Sequence, residues 1–299
     1  NTKYQYLIFV ALLSTLTYVM RSVRYFFIIS PIKKTRLLEN FPYTVLGFFV
    51  NNIIPLRLGE VIRAKVTGER LKISRSSALA TIVVERLMDI IVYILFFFLI
   101  MNTLSFPELV KNSFYICAVI FGVILVVLYV VSIFDSKALN VISKFPLPMK
   151  LKQFVISVSN KFLDGLSILK SKKALITSFF FSFVVWIVES FSFIVAAYSC
   201  GIILTPIEGI FTVIIIGIAG IIPTAPGYLG AVEMAGLTAL TVLGIEENLA
   251  LAAVIINHVM QLLVNFTLGF SSVIYAKISF KDLFNFEEIK TDEEQKKND

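Results

Sequence analysis

In the stretch NNIIPLRLGEVIR, residues 51–63, two arginines and a glutamate, Arg57, Glu60 and Arg63, surround Pro55 and Gly59 inside an otherwise apolar run. A second polar cluster follows in ALATIVVERLMDII: Glu85 and Asp89 lie four residues apart and so share one face of a helix, with Arg86 about 100° away. In the second half, PTAPGYLGAVE supplies Pro223, Pro226, Gly227 and Gly230 and then one acid, Glu233. Proline has no amide hydrogen and clashes with the preceding helical turn, while glycine reaches backbone angles that other residues avoid. Each stretch is therefore expected to stop a helix and leave amides unpaired. A helix restarting near Gly59 or Gly227 would aim its positive end at an anion, phosphate foremost, with Arg57 and Arg63 reinforcing it. The competing reading of PLRLGEVIR is an ordinary solvated loop.

The elements that must carry these residues are membrane helices. Of the 299 residues 58% are hydrophobic and only 16% charged, and the mean hydropathy is +0.88, whereas a water-soluble domain has about 25% charged residues. With one histidine in the chain, imidazole-based metal binding or nucleophile activation has little to draw on. Neither a cofactor nor a metal is expected. Cys117 and Cys200 sit in or beside apolar runs with no paired spacing, which reads as inert thiols. The chain opens on Asn rather than Met and enters an apolar run without a charged leader and cleavage site, so no signal peptide is read and the natural start is expected to be missing.

Runs long enough to cross about 30 Å of hydrocarbon lie near residues 5–29, 76–101, 113–134, 174–199 and 248–275. Two further apolar regions, 42–62 and 207–243, are interrupted by Pro and Gly and read as re-entrant or broken helices. Opened backbone at membrane depth requires protein or a wet cavity around it. The fold class expected is all-α, a polytopic integral membrane protein. Its membrane domain covers 1–280, and the polar tail 281–299 is expected to be disordered. Lysines and arginines concentrate in 30–75 and in 135–173, the latter read as an amphipathic surface helix. Both loops and the C-terminus are expected in the cytoplasm of a plasma-membrane protein. The net charge of +7 follows from that bias, and no nucleic-acid partner is expected.

The chain also resembles itself. At an offset of 168 residues, IIPLRLG lies over IIPTAPG and Arg21-Ser22 over Glu189-Ser190. At an offset of 172, Glu85, Arg86 and Asp89 lie over Asn257, His258 and Gln261. The halves, about 5–101 and 174–275 and joined by 113–173, are expected to be inverted repeats, a plan common among transporters. Ionisable groups at such depth cost about 2.5 to 3.5 kcal/mol each, so they must pair or face a wet interior. For Glu85 and Asp89 both a structural ion-pair network, with Arg86 reaching Glu60 or Glu189, and substrate or proton handling stay open. His258 is read as either a titrating group or a hydrogen-bonded packing one. Arg21 and Arg24 sit near a helix end, where snorkelling explains at least one of them.

The pattern N-x-x-x-P-x-R-x-G-E-x-x-R from Asn51, then ALATIVVERLMD, then P-x-x-P-G-x-x-G-x-x-E from Pro223 resembles the lysylphosphatidylglycerol synthase transmembrane-region family. That family includes the flippase half of the bacterial multiple peptide resistance factor and the membrane part of some archaeal dolichol-phosphate glycosyltransferases. The resemblance implies a lipid-translocating domain in which the two broken elements form a headgroup cavity. Across both routes the substrate-binding candidates are Asn51, Arg57, Glu60, Arg63, Glu85, Arg86, Asp89, Glu189, Glu233 and His258. The soluble aminoacyl-transfer domain of such synthases is absent from this sequence, so a non-enzyme is expected. The alternatives are an embedded transferase in lipid biosynthesis with Glu60, Glu85 or Asp89 as base, and a non-catalytic scaffold subunit. Membrane lipids are the expected partners, with a separately encoded lipid-modifying transferase and a second copy of the chain as further candidates.

Overall fold

The computed structural model describes residues 3–101, 166–221 and 224–279, with scattered positions between 103 and 123. The expected crossing 113–134, most of the loop 135–173, Cys117, Pro223 and the tail lie wholly or largely outside the described residues. Among the described residues the protein is helical, with no strand. The helices are α1 (Leu7–Ile29), α2 (Leu37–Asn51), α3 (Gly59–Leu71), α4 (Arg75–Met101), α5 (Lys172–Ser199), α6 (Pro206–Ala219), α7 (Ala231–Val242) and α8 (Glu247–Tyr275). An order of long, short, short, long thus occurs twice.

The helix boundaries follow from local chemistry. Thr205-Pro-Ile-Glu starts α6 with a reciprocal box, in which the Thr205 amide donates to Glu208 Oε2 at 2.7 Å and the Glu208 amide to Thr205 Oγ1 at 3.3 Å. Glu246 caps α8 by accepting from the amides of Asn248 and Leu249, both at 3.0 Å. At the far end of α3, Lys72 takes a left-handed conformation, φ 55°, and the chain leaves the helix there. Cys200 follows the last turn of α5; burial pushes its thiol up, which keeps it protonated and unreactive.

Helices α1, α5 and α8 are long and apolar enough to cross a bilayer. Helix α4 has the length, but Glu85, Arg86 and Asp89 interrupt its apolar character. Large apolar side chains point outward along the long helices, among them Ile8 and Leu12 of α1, Ile176 and Phe180 of α5, and Leu263 and Ile274 of α8. This inside-out distribution suits a hydrocarbon solvent, which attracts apolar surface as readily as a protein core does.

Two apolar clusters form the interior. One gathers Tyr25, Leu46, Phe49, Ile62, Met88 and Val273; the other Val92, Trp186, Phe193, Phe211, Leu240 and Val254. Along α4 the boundary between them falls between Met88 and Val92, next to Asp89, and along α8 between Val254 and Val273, the stretch that holds Asn257 to Gln261. A polar layer therefore lies between two apolar ones. Close helix contacts cross from one half of the chain to the other: α8 brings Gly269 against Phe49 of α2, and α6 brings Gly217 against Tyr93 of α4. In each case a Cβ would fall within 2.3 Å of the aromatic side chain.

Candidate functional site

Guanidinium and carboxylate groups from three helices, α1, α3 and α4, make up the centre of the polar layer. Arg24 of α1 is fully buried, pairs with Asp89, and meets Glu85 at 2.9 Å. Arg63 of α3 grips Glu85 with both Nη atoms, at 3.0 and 3.3 Å, and lies 4.1 Å over the Tyr25 ring. Arg86 reaches Glu85 at 2.8 Å, Asp89 at 3.2 Å and Glu60 at 3.5 Å. The Trp186 indole of α5 donates to Asp89 at 2.9 Å. Charges removed from water this thoroughly persist only when paired, and each of these charged groups has at least one ion-pair partner, while the Nε atoms of Arg24, Arg63 and Arg86 have no hydrogen-bond partner.

At the first break the network reaches the second. Arg57 pairs with Glu60 at 2.8 Å and donates from Nη1 to the carbonyl of Ile221 at 3.0 Å. Leu56 and Arg57 are both left-handed, φ 64° and 56°, as are Gly227 and Tyr228 in the other break, φ 65° and 58°. Such a conformation costs a non-glycine residue about 1 to 2 kcal/mol. Here it reverses the chain sharply enough for α2 and α3 to fold back on each other. Gly59 sits so close that a Cβ would lie 2.2 Å from the Gly47 carbonyl.

Beside the lattice lies a cavity of about 130 Å³, lined by side chains of α1, α2, α5, α7 and α8 and by the second break. Its polar wall includes Arg21, Tyr18, Asn52, Glu189, His258 and Gln261. Arg21 Nη2 stands 3.5 Å from Glu189, whose other oxygen accepts from Gln261 at 2.5 Å. His258 Nδ1 and Glu233 Oε1 are 2.6 Å apart, and Glu233 Oε2 accepts from the Gly230 amide at 2.7 Å. Asn52 donates to Asn265 at 2.7 Å, and Asn265 to the Tyr18 hydroxyl at 2.9 Å. Two residues matched along the sequence, Arg21 and Glu189, 168 apart, face each other.

Nine of the ten candidates from the sequence thus fall into two groups. Arg57, Glu60, Arg63, Glu85, Arg86 and Asp89 form the lattice; Glu189, Glu233 and His258 belong to the cavity region. Asn51 belongs to neither, because its Oδ1 accepts from the Gly59 amide at 2.8 Å and locks the α2–α3 turn. That contact also corrects the expectation of free amides at the start of α3. In the other break the second helix restarts at Ala231 rather than near Gly227, which lies in a short turn, Pro226–Tyr228. Its first-turn acid, Glu233, already holds the Gly230 amide. Arg63 is 2% exposed and both its Nη atoms are held by Glu85, so its charge is turned inward.

Snorkelling is overturned for Arg24, which is 0% exposed, and for Arg21, at 7%. The sequence alone assigns snorkelling to at least one of them. The signal that could have found Arg21 was its match to Glu189 at the 168-residue offset, an opposite charge in the same place of the self-comparison. Trp186 and Tyr18 carried no such signal, since an aromatic in an apolar helix reads as packing.

Three curated relatives, all described as UPF0104 membrane proteins, resemble the chain. One from Methanocaldococcus jannaschii is 27% identical over 78% of this chain and 93% of its own length. One from Methanothermobacter thermautotrophicus is 26% identical over 79% and 74%. A second from M. jannaschii is 21% identical over 93% and 86%. No solved structure matches. The family described as lysylphosphatidylglycerol synthase TM region matches residues 1–269, the span that contains both breaks, the charged lattice and the cavity; the chain belongs to that family and is a membrane protein.

Proposed function

We propose that the protein is a flippase-like transporter that moves a phosphate-bearing lipid between leaflets, the headgroup travelling through the polar layer while the acyl chains stay in the bilayer. One observation carries this reading: a polar cavity lies where the two helix breaks meet, between two apolar clusters, in a protein whose outer surface is apolar. The two-fold recurrence of long, short, short, long helices supports an inverted repeat with two re-entrant hairpins, and alternating access between such halves is a common transport mechanism. The membrane is the plasma membrane, with residues 30–75, 135–173 and the C-terminus on the cytoplasmic side, as the lysine and arginine bias favours.

An embedded transferase has less support from the geometry. A general base needs a carboxylate free to accept a proton, and Glu60, Glu85 and Asp89 are each held by at least two arginines.

The test is transfer in liposomes. Purified protein reconstituted with head-labelled anionic lipids, with cationic and polyprenyl phosphate lipids in parallel, is expected to expose inner-leaflet label to a membrane-impermeant quencher for at least one class. Arg57→Ala with Glu60→Ala, which opens the contact between the breaks, is expected to lower the rate tenfold or more. No protein-dependent transfer across the panel would overturn the reading. A covalently altered lipid found by mass spectrometry would favour the transferase.

A further inference from the structure

We infer that Arg21 is the anion receptor of the cavity and that it binds a phosphate group by exchanging Glu189 for it. Arg21 is more than nine-tenths buried, lines the cavity, and its Nη1 has no hydrogen-bond partner. A buried guanidinium nitrogen left unpaired is costly, and the other arginines of the layer are committed to carboxylates at 3.0 Å or less. Arg21 has only the long 3.5 Å contact to Glu189, whose carboxylate Gln261 holds from the other side.

Its position is set by aromatics instead. The guanidinium carbon lies 4.9 Å from the centre of the Phe48 ring and 5.2 Å from that of Trp186, cation–π distances that hold the fork in place without using its N–H groups. Tyr18, Asn52 and Gln261 place hydroxyl and amide groups around the same space. Five guanidiniums, those of Arg21, Arg24, Arg57, Arg63 and Arg86, stand against four carboxylates, those of Glu60, Glu85, Asp89 and Glu189. The fifth acid, Glu233, is taken by His258 and the Gly230 amide. Arg24, Arg57, Arg63 and Arg86 also have buried nitrogens without a hydrogen-bond partner, but Arg21 is the arginine that lines the cavity, so its Nη1 is the donor a ligand there would meet. About 130 Å³ is well below the 300 Å³ or more of a pocket for a whole drug-sized ligand. The cavity suits one phosphate with its immediate substituents and leaves the acyl chains outside.

The ligand chemistry is a phosphate oxyanion, whether on a lipid headgroup or free. The inference rests on the transport reading only for the lipid as source. Trp186 is the only tryptophan in the chain and contacts Arg21, so its fluorescence reports on the site. The full chain in dodecylmaltoside is titrated with dihexanoyl phosphatidylglycerol, with inorganic phosphate, and with dihexanoylglycerol, which lacks the phosphate. A saturable change is expected with the short phospholipid and none with dihexanoylglycerol. Arg21→Gln is expected to weaken binding tenfold or more, the worth of a lost charge-assisted hydrogen bond. Arg75→Gln, on the surface, should leave it unchanged. Glu189→Gln is expected to tighten it severalfold by removing the competing carboxylate, and this variant decides the matter should Arg21→Gln not fold. An equal response to inorganic phosphate supports the receptor and assigns it free phosphate; a silent phosphate arm supports it with a lipid headgroup. Wild-type affinity in Arg21→Gln, weaker binding in Glu189→Gln, or a matching response to dihexanoylglycerol overturns the inference. Liposome transfer measured beside it separates the two proposals: transfer retained in Arg21→Gln with binding lost sinks the link between them, while phosphate binding without any wild-type transfer leaves the receptor and removes the transporter.

Discussion

Glu85 accepts from three arginines while being fully buried, and this makes it the residue on which the polar layer depends most. Removing it leaves Arg63 without its carboxylate partner and Arg24 with Asp89 alone, away from water. For Glu85→Ala we expect a loss of about 3 to 5 kcal/mol of stability, the range for breaking one side of a buried ion pair, read as a large drop in melting temperature in detergent. Arg75→Ala breaks the Arg75–Glu69 contact of 2.7 Å between half-exposed side chains. That change should cost about 1 kcal/mol or less, because solvent screens such pairs. Equal effects of the two variants would mean that the lattice is wet and weakly coupled. The same comparison bears on proton coupling: carboxylates gripped by several guanidiniums are poor proton carriers, which favours the ion-pair reading of Glu85 and Asp89 over proton handling.

The helical hairpins bring together groups that the sequence keeps apart. The α2–α3 turn needs Gly59 because its backbone packs directly on Gly47 and Asn51. Gly59→Ala is expected to destabilise by at least the upper end of the roughly 1 to 3 kcal/mol for overpacking, since the clash is with backbone rather than a movable side chain. It should also lower transport by displacing Arg57 from Ile221. Leu56, left-handed and exposed, makes the contrasting case: Leu56→Gly relieves an unfavourable conformation and should be neutral or stabilising by up to about 1 kcal/mol. Thermal unfolding of the two variants measures both. A Gly59→Ala protein as stable as wild type would show that the hairpin has another packing.

On the scale of the molecule, the proposed inverted halves put the α3–α4 connection and the start of α8 on opposite sides of the membrane. With the native cysteines replaced, Glu69→Cys and Asn248→Cys place single thiols at exposed positions. In intact cells a membrane-impermeant maleimide is expected to label Asn248→Cys alone, and Glu69→Cys only after permeabilisation. Labelling of both from one side would remove the inverted plan while leaving the charged lattice as it is. Much of the helical layout was legible beforehand because hydrocarbon demands long apolar runs: the boundaries read near 5–29, 76–101, 174–199 and 248–275 lie within about two residues of α1, α4, α5 and α8. The two interruptions were legible from Pro and Gly for an equally local reason.

The sequence by itself determined that the chain is an all-α membrane protein, where its long helices run, and that some polar residues of one half align with polar residues of the other at offsets of 168 and 172. Those properties depend on local composition and on the solvent the chain must face. Only the tertiary structure decided how the charges are shared: Arg63 and Arg24 turned inward onto Glu85, Asn51 spent on a turn, Arg21 left with a free donor beside a cavity. Which arginine meets which acid depends on distances between helices separated by tens to hundreds of residues, and a side chain's neighbours across such a gap leave no trace in its own stretch of sequence.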